Sequence, residues 1–394
     1  MRVLEDFELK EKKVIIRADF NTPIDEGEIK NCFRLEAVLP TLRYLISKKA
    51  KIILIAHLGR PNLNFNGELE LREKNEFTMR PLALKLSDLL GQEVFFAKDC
   101  IGEIAEKEID KLRPGQVILM ENLRFYKGET ENSLDFAKSL AKLGDIYINE
   151  AFGVSHRKHA SIVGVPKFLP SGAGFFFDKE ISNLSMILKE PKHPLSVIIG
   201  GVKISTKIKV IRKFLSKADN IALGGALANT VISAKGFAIG KSISEEDMIS
   251  EVQNLNLTDT ALHIPVDVVV SSDSSGDKEI NVAPVGKTKE EDMILDIGPD
   301  TRNLFKEIIF QSKTIIWNGP MGLWEVEEFA EGTKEIARYI SQADAFTVVG
   351  GGSSVSALEK LNLMDKINHV STGGGALLEF LSEESLPGIE ALNE

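Results

Sequence analysis

Gly350-Gly351-Gly352 and Gly373-Gly374-Gly375 are two glycine triplets that share one sequence context. Each follows a short β-rich run, residues 345–349 in the first case and 367–370 in the second, and each precedes an apolar-periodic stretch typical of a helix. Such a turn brings backbone N–H groups and a helix N-terminus close to the outside, which favours an anion site. Tight packing would explain a single turn of this kind, whereas two suggest phosphate chemistry.

Length and composition bound the class of protein. A chain of 394 residues exceeds what one core usually supports, which predicts two domains. We find no long uncharged apolar run and no export signal, so we expect no membrane association. Cys32 and Cys100 are the only cysteines, which indicates a reducing, cytoplasmic location. The formal net charge of −10 disfavours binding to nucleic acid, so any bound anion needs a local cluster of cations.

Short Val/Ile-rich runs alternate with helical patterns in both halves of the chain, which is the pattern of parallel α/β sheets. The predicted strands are residues 14–17, 51–56, 117–120, 146–149, 195–200, 220–223, 314–317 and 346–350. Both halves are therefore predicted as doubly wound α/β domains. An amphipathic helix over 178–189, ending before Pro191, is the candidate connector, and 271–278 is predicted as a solvated loop.

Polar residues follow the strands of the first half at their carboxyl ends, where ligands bind in open α/β sheets. These residues are Asp19, Asn21, His57, Arg60, Arg124 and Arg157, and Arg34 on the first helical segment could join them. Several arginines at one edge indicate a site for a small, multiply charged anion. The alternatives are a surface position or a carboxylate partner for each arginine, and a structural role for His57.

The second half has glycines and lysines at the corresponding positions. The segment from Gly200 to Lys207 follows a strand and places Lys203 and Lys207 four residues apart, which predicts that they share one helix face. Gly224-Gly225 follows the next strand, and a turn-rich segment over 317–325 follows a third. Surface lysines and a structural turn remain the alternatives for these segments.

Other motifs are rejected. The segment 236–242 resembles a Walker A loop, but it has one residue too few between its glycines and follows a helical pattern rather than a strand. His156 and His159 lack carboxylate or cysteine partners at metal-binding spacing. No Ser/His/Asp arrangement is evident either.

Taken together, these segments resemble the phosphoglycerate kinase family, from about residue 10 to the C-terminus. The matching blocks are Arg17-Ala18-Asp19-Phe20-Asn21-Thr22-Pro23, His57-Leu58-Gly59-Arg60-Pro61, Glu121-Asn122-Leu123-Arg124-Phe125, Gly200-Gly201-Val202-Lys203, Trp317-Asn318-Gly319-Pro320 and Ser371-Thr372-Gly373-Gly374-Gly375. Six blocks in the family's order make the resemblance highly specific.

The resemblance implies two Rossmann-like domains. An N-terminal domain over 1–171 would bind 3-phosphoglycerate, a connector helix would span 172–190, and a nucleotide-binding domain would span 191–377. Residues 378–394 would pack back on the first domain. The implied 3-phosphoglycerate ligands are Asp19, Asn21, Arg34, His57, Arg60, Arg124 and Arg157. The implied nucleotide ligands are Lys203, Lys207, Gly225, Glu325, Gly350, Gly351, Gly352 and Ser353, with Glu325 on the ribose hydroxyls and Gly224 and Gly225 by the adenine.

The implied reaction is the glycolytic transfer of a phosphoryl group between 1,3-bisphosphoglycerate and ADP, giving 3-phosphoglycerate and ATP by in-line transfer on domain closure. Its nucleophile is already ionised near neutral pH, so no general base is needed. Catalysis would rest on alignment and on cancelling charge through Arg34, Lys207 and the amides of Gly373 and Gly374. We expect a monomer that uses Mg²⁺ carried by the nucleotide. The alternative is a non-catalytic protein of the same fold that binds nucleotide or a phosphorylated acid.

Two positions depart from the family pattern. The family has Asp directly after the first glycine triplet, where its carboxylate holds the nucleotide's magnesium, whereas this chain has Ser353. A neutral hydroxyl is a much weaker ligand for a hard cation. Thr206 also replaces a residue that is often acidic in relatives. The metal ligands in this chain are therefore left unknown.

Overall fold

The structure is a computed structural model that describes residues 1–25, 28–29, 31–62 and 70–393. The chain folds into two compact units. Unit one is Met1–Ser182 together with Ser385–Glu394, and unit two is Asn183–Glu384. Within the described residues, no helix is long and apolar enough to cross a membrane.

Both units contain strands, which are numbered along the chain. Among the described residues they are β1 (Lys13–Arg17), β2 (Ile24–Asp25), β3 (Glu28–Ile29), β4 (Lys51–Ile55), β5 (Val94–Phe96), β6 (Val117–Leu119), β7 (Ile146–Asn149), β8 (Ser171–Ala173), β9 (Leu195–Ile199), β10 (Asn220–Leu223), β11 (Leu262–His263), β12 (Asp267–Ser271), β13 (Ile280–Pro284), β14 (Met293–Ile297), β15 (Thr314–Asn318), β16 (Phe346–Gly350) and β17 (His369–Val370).

The helices of the same residues connect these strands. They are α1 (Phe33–Ser47), α2 (Leu71–Glu76), α3 (Arg80–Leu90), α4 (Gly102–Asp110), α5 (Lys127–Thr130), α6 (Leu134–Ala141), α7 (Phe175–Lys189), α8 (Ile208–Phe214), α9 (Gly225–Ala234), α10 (Ile249–Gln253), α11 (Pro299–Gln311), α12 (Glu331–Gln342), α13 (Gly352–Lys360), α14 (Gly374–Glu383) and α15 (Pro387–Glu390).

Unit one is built on a parallel sheet in the order β5-β6-β4-β1-β7-β8. Its first strand, β1, is central: Arg17 at its carboxyl end pairs with Ile55 of β4 on one side and with Asn149 of β7 on the other. The strands β4, β5 and β6 lie on one side of β1, and the chain then crosses to the other side of β1 with β7. This reversal makes the crevice beyond β1 and β7 the expected ligand site.

Unit two has a parallel sheet in the order β11-β10-β9-β15-β16-β17, and its strand order reverses between β9 and β15. An antiparallel sheet in the order β13-β12-β14 lies in the same unit. The predicted α/β class with two doubly wound sheets is confirmed. The predicted loop over 271–278 joins β12 to β13, but the antiparallel sheet itself was not predicted.

Helices with buried apolar faces pack on the two parallel sheets. In α1, Leu35, Val38, Leu42 and Leu45 recur at helical spacing and pack on the buried strands of unit one. Trp317 of β15 is fully buried in the core of unit two, and its indole N–H donates to the Gly319 carbonyl at 2.9 Å. Each unit therefore holds its strand ends in place with a core of its own.

The boundary between the two units falls inside α7, after Ser182. This helix begins at Phe175, three residues before the predicted start at 178, and ends at Lys189 as predicted. The expected return of the chain at 378 differs from the structure, because α14 belongs to unit two and the return begins at Ser385. Helix α14 packs against α8, and its Leu377 lies beside Gly350 at the end of β16, which holds the helix in the second unit.

The early start of α7 has a physical cause in Glu150, which directly follows β7. Its carboxylate accepts hydrogen bonds from the backbone N–H groups of Phe176, at 3.4 Å, and Phe177, at 2.9 Å, and from the Thr41 hydroxyl. The Thr41 hydroxyl in turn accepts from the Phe175 N–H at 3.1 Å. These contacts satisfy the donors that the first turn of a helix leaves free.

Burial raises the pKa of Glu150 to about 7, although its hydrogen bonds oppose the shift. The folded carboxyl therefore keeps its proton at pH values where the unfolded one, with an ordinary pKa of 4.5, has lost it. For an acid with a raised pKa, the folded state binds more protons than the unfolded state. The stability contributed by this group falls as the pH rises from 4.5 to 7.

We predict that Glu150→Gln, which has a neutral amide in place of the carboxyl, removes this pH dependence. Relative to the unchanged protein, the variant should gain up to about 3 kcal/mol of unfolding free energy between pH 4.5 and pH 8. Urea unfolding of both proteins across this range measures the difference, and the pH dependence of all other groups cancels. A difference that stays constant with pH would show that the Glu150 pKa is not raised.

Candidate active site

The first two strand ends of unit one meet through polar side chains. Arg34, the second residue of α1, forms an ion pair with Asp19 at 2.7 Å, and Asp19 is buried. Asn21 accepts a hydrogen bond from the Gly59 N–H at 2.8 Å, which ties the segment after β1 to the segment after β4. The structure therefore brings these three predicted residues to one edge of the sheet.

His57 lies deeper at the same edge and is almost fully buried. Its Nδ1 is 3.1 Å from an Arg17 guanidinium nitrogen. Burial, followed by the charges of Arg17, Arg124, Arg157 and Arg34, lowers the pKa of His57 well below its ordinary value. The imidazole is therefore neutral at neutral pH, and it takes part in a structural hydrogen bond as well as facing the arginines.

Arg60, Arg124 and Arg157 line a cavity of about 260 Å³ in unit one, which we call the acid pocket. Its other lining residues are Pro61, Tyr126, Lys127, Thr130 and His159. Burial and then the charge of Arg157 lower the pKa of Arg124 to about 10, and burial and then Arg60 lower that of Arg157. The arginines thus repel one another, and a bound anion would relieve that repulsion.

The acid pocket rests on buried residues that the sequence did not single out. Glu129 is fully buried and accepts hydrogen bonds from the Ser161 N–H at 2.9 Å and from the Ser161 hydroxyl at 2.6 Å. The guanidinium of Arg17, also fully buried, lies 3.8 Å from Glu129. A strand that ends in arginine and a glutamate five residues after Arg124 were the only signals for this pair.

Lys127 and His159 are further pocket residues that the sequence analysis missed. Burial, followed by Arg17 and Arg124, lowers the pKa of His159 to about 4, so its imidazole is neutral near neutral pH. Lys127 lies three residues after Arg124 in the segment that follows β6. The only feature of the sequence that pointed to Lys127 was its position three residues after Arg124.

Unit two holds a larger cavity of about 380 Å³ at the carboxyl ends of β9, β10 and β15. Of the predicted nucleotide residues, Gly225, Glu325 and Ser353 line it. Much of the remaining wall is apolar and includes Val202, Ile243, Met321 and Leu323. An apolar cleft of this size with a few polar groups at its rim suits a flat aromatic base joined to a polar sugar.

Lys203 and Lys207 do not share a helix face, so that prediction was wrong. Residues 201–207 form bends and turns, and α8 begins only at Ile208. Gly201 has a φ of +98°, which takes the chain out of helical geometry, and its N–H donates to the Pro320 carbonyl at 2.8 Å. Lys203 is exposed, and the Thr206 hydroxyl donates to its carbonyl at 3.0 Å.

Lys207 is buried beside the glycine turns of β9 and β15. Its ammonium donates to the Gly200 carbonyl, and burial lowers its pKa to about 8. A Cβ added to Gly319 would lie 2.7 Å from this ammonium and 2.4 Å from the Gly200 oxygen. Glycine is therefore required at 319, and the lysine charge is held at the point where the strand order of the sheet reverses.

The two glycine triplets pack directly against each other. Gly351 precedes α13 and Gly373 precedes α14, as the sequence predicted, and a Cβ added to Gly374 would lie 2.6 Å from the Gly351 Cα. Asn318 at the end of β15 donates to the Gly350 carbonyl at 3.0 Å. Two helix N-termini with small residues therefore begin side by side, which favours an anion.

Few carboxylates are placed for a metal ion near this cavity. Among the residues that the structure describes, no three acidic, histidine or cysteine side chains are grouped to hold one. Asp296 lines the cavity, but its oxygens accept the N–H groups of Gly332 at 2.6 Å and Ile297 at 2.9 Å, and burial raises its pKa to about 7. Other side-chain oxygens of the lining include the Ser353 hydroxyl, the exposed Glu325 carboxylate and the Asn229 carbonyl.

Comparisons with known proteins identify the family that this chain resembles. A family model described as phosphoglycerate kinase matches residues 4–384. A protein of Moorella thermoacetica named phosphoglycerate kinase is 44% identical over 395 residues, which cover 99% of this chain and 98% of the relative. A protein of Finegoldia magna with the same name is 44% identical over 399 residues, covering 100% of this chain and 99% of the relative.

Solved structures agree with these sequence matches. The phosphoglycerate kinase of Coxiella burnetii superposes with a TM-score of 0.84 at 36% identity, covering 100% of this chain and 98% of that one. The phosphoglycerate kinase of Pyrococcus horikoshii gives a TM-score of 0.87 at 34% identity, with the same coverage. The similarity therefore spans both units.

Proposed function

Because this chain belongs to the phosphoglycerate kinase family and is itself a kinase, we propose that the acid pocket and the cavity of unit two hold the two substrates of one phosphoryl transfer. The enzyme transfers a phosphoryl group from 1,3-bisphosphoglycerate to ADP, giving 3-phosphoglycerate and ATP in glycolysis. The observation that carries the assignment of sites is the convergence of Arg60, Arg124 and Arg157 on one small pocket in unit one. A coupled assay with MgATP and 3-phosphoglycerate tests the activity directly.

On the acid side, the three arginines of the pocket hold the phosphate at C3 of the substrate, since a guanidinium fork matches a phosphate group. Asp19, Asn21, Arg34 and His57 then lie toward the hydroxyl and carboxyl end. His57 is neutral, so it contributes a hydrogen bond rather than a charge. Asp19 orients Arg34 through their ion pair.

On the nucleotide side, the base lies against Gly225 in the apolar cavity, and Glu325 at the rim accepts hydrogen bonds from the ribose hydroxyls. The phosphates lie toward Lys203, Lys207 and the backbone of residues 350–352. Ser353, the second residue of α13, would lie beside the last phosphates and the magnesium ion that the nucleotide carries. The support for this arrangement is the pair of adjoining helix N-termini and the buried Lys207 charge.

During transfer, the bond between phosphorus and the acyl oxygen breaks, and a bond from phosphorus to a terminal ADP oxygen forms. The carboxylate leaves as an anion, so no proton has to move. Negative charge spreads over the equatorial oxygens of the moving group, and Arg34, Lys207 and the amides of Gly373 and Gly374 are the groups that offset it. No described residue needs to act as a general base.

We predict that Arg34→Ala lowers kcat far more than it weakens substrate binding, because the Arg34 charge acts mainly on the moving phosphoryl group. The loss should be a few hundredfold, or about 3 to 4 kcal/mol. Steady-state kinetics with both substrates measures kcat and KM separately. Arg43→Ala on the same helix is the matched control, since Arg43 is exposed and donates to the Leu89 carbonyl.

The Arg43→Ala variant should keep the kcat of the unchanged protein. If Arg34→Ala instead raises KM for 3-phosphoglycerate and leaves kcat unchanged, Arg34 only anchors the bound substrate. The proposed role in the transition state would then be wrong.

Magnesium enters this site with the nucleotide. When bound, the ion neutralises charge on the terminal phosphates, and Ser353 offers it only a neutral oxygen. Asp296 is already engaged by backbone N–H groups, so among the described residues at this turn we propose no carboxylate as a ligand of the ion. Nucleotide binding should therefore depend less on metal in this chain than it would if residue 353 carried a carboxylate.

We predict that Ser353→Asp tightens the binding of MgADP more than that of metal-free ADP, because it adds a full negative charge beside the ion. Calorimetry with magnesium and with a chelator measures both affinities. Ser353→Asn is the matched control, since it has the size of Asp without its charge. An MgADP affinity that is unchanged or weaker in Ser353→Asp would show that the site compensates for the missing carboxylate elsewhere.

The acid-side residues belong to unit one and the nucleotide-side residues to unit two. The two reactants have to meet for in-line transfer, and an acyl phosphate has to be kept from water. We therefore propose that the two units approach each other when both substrates are bound. We place the enzyme in the cytoplasm as a monomer, and the two free thiols, Cys32 and Cys100, support that location.

We predict that the radius of gyration falls when 3-phosphoglycerate and MgADP are both present, and falls less or not at all with either alone. Small-angle scattering on the full chain measures it. The single-ligand samples serve as controls for binding without transfer geometry. A radius that both ligands together leave at its free value would contradict closure.

A further inference from the structure

Lys127 is a fourth cation of the acid pocket. It is the first residue of α5, it is exposed, and it lines the pocket with Arg60, Arg124 and Arg157. The family resemblance assigned no role to it. What its ammonium meets depends on how firmly α5 is held and on which carboxylates lie near.

The backbone of Lys127 is held from both sides. On one side, Tyr126 donates from its hydroxyl to Asp99 at 2.8 Å and packs against Phe136 with the ring centroids 5.4 Å apart. On the other side, the fully buried Glu129 is bound by the N–H and hydroxyl of Ser161. The position of the Lys127 Cα is therefore fixed, while its four-carbon side chain can still adjust to a ligand.

The carboxylates around the pocket are already engaged. Glu129 faces Ser161 and Arg17, and Asp99 accepts from Tyr126 and from the Cys100 N–H at 2.7 Å. Asp19 pairs with Arg34. In the pocket lining, the imidazole of His159 is neutral because burial and then Arg17 lower its pKa to about 4, and the Tyr126 hydroxyl donates to Asp99. Among the residues that the structure describes, Lys127 forms no ion pair, so its charge adds to that of the arginines.

We propose that Lys127 contacts the phosphate group at C3 of the substrate and makes the pocket selective for a dianionic phosphate. This inference rests on the proposed acid site and names a further specificity-determining residue in it. Three guanidinium groups and one ammonium in one pocket supply more positive charge than a carboxylate or a singly charged anion can offset. A phosphate dianion both offsets more of that charge and offers enough oxygens for four donors.

The test compares Lys127→Met and Lys127→Arg with Lys142→Met as the matched control. Lys142 is an exposed lysine after α6 in the same unit, outside the pocket lining, so its loss changes the net charge equally. Steady-state kinetics gives KM for 3-phosphoglycerate, and calorimetry gives the affinity for 3-phosphoglycerate. Competition by inorganic phosphate against 3-phosphoglycerate probes the phosphate contact alone.

In Lys127→Met we expect KM for 3-phosphoglycerate and the inhibition constant of phosphate to rise together, by about tenfold, while kcat and KM for MgATP stay nearly unchanged. Lys127→Arg should restore most of the loss, and Lys142→Met should match the unchanged protein. Loss of 3-phosphoglycerate affinity without loss of phosphate inhibition would overturn the proposal. An equal effect in Lys142→Met would also overturn the proposal, because the effect would then come from the change in net charge and not from a contact with the phosphate.

An Arg60→Ala variant separates this inference from the site on which it rests. If Arg60→Ala weakens 3-phosphoglycerate binding and Lys127→Met does not, Lys127 is no part of the phosphate contact and the proposal is wrong. If neither substitution weakens binding, the acid pocket itself is misassigned, and the proposal fails with it.

Discussion

The buried charge of Arg17 is the constraint on which the acid side of this enzyme depends. A guanidinium without exposed surface is stable only when its donors are satisfied and its charge is paired. Arg17 donates to the Ser161 hydroxyl at 2.7 Å and to the Ala18 carbonyl, faces Glu129 at 3.8 Å, and lies 3.1 Å from His57 Nδ1. One side chain thus links the ends of β1 and β4 to α5 and to the segment around Ser161. The pocket arginines above this layer, of which Arg60 is exposed, Arg157 half-buried and Arg124 buried, are thereby held over a fixed base.

Unit two builds its site mainly from backbone groups rather than from a cluster of charged side chains. Its strand ends approach so closely that the glycine turns touch, with Gly351 against Gly374 and Gly319 against the Gly200 carbonyl. The single buried cation, Lys207, lies in that gap. A site made of N–H groups and helix N-termini suits a chain of phosphates, whose oxygens are many and whose position along the site is set by the base and ribose. A forked guanidinium cluster suits one compact phosphate instead.

Local sequence patterns predicted the parallel strands because apolar β-branched runs carry their own signal. Residues 146–149, 220–223 and 346–350 are strands with the predicted bounds. Short strands such as β5 and β11 gave too little signal, and the antiparallel sheet had no place in the strand-helix alternation that guided the prediction. The sequence also showed which polar residues follow the strands, and strand order and strand ends then bring these residues together.

Long-range contacts could not be predicted in this way. Glu150 sets the start of α7 through Thr41, which lies 109 positions away in the chain. Lys203 and Lys207 have helical spacing, yet the Gly201 φ of +98° and the Pro320 carbonyl bend the chain between the strand and α8. Lys127 and Glu129 gained meaning only once α5 was placed beside the π-helical segment Ala160–Gly164.

The buried imidazoles of the acid side stay neutral in mildly acidic solution. Burial, and then neighbouring arginines, lower the pKa of His57 well below its ordinary value and that of His159 to about 4, so neither gains a proton as the pH falls toward 6. The positive charge of the pocket comes from three guanidinium groups and the Lys127 ammonium. A phosphate monoester changes from dianion to monoanion near pH 6. The change in affinity for the acid as the cell acidifies therefore reflects the ionisation of the substrate's phosphate group. It does not reflect protonation of His57 or His159.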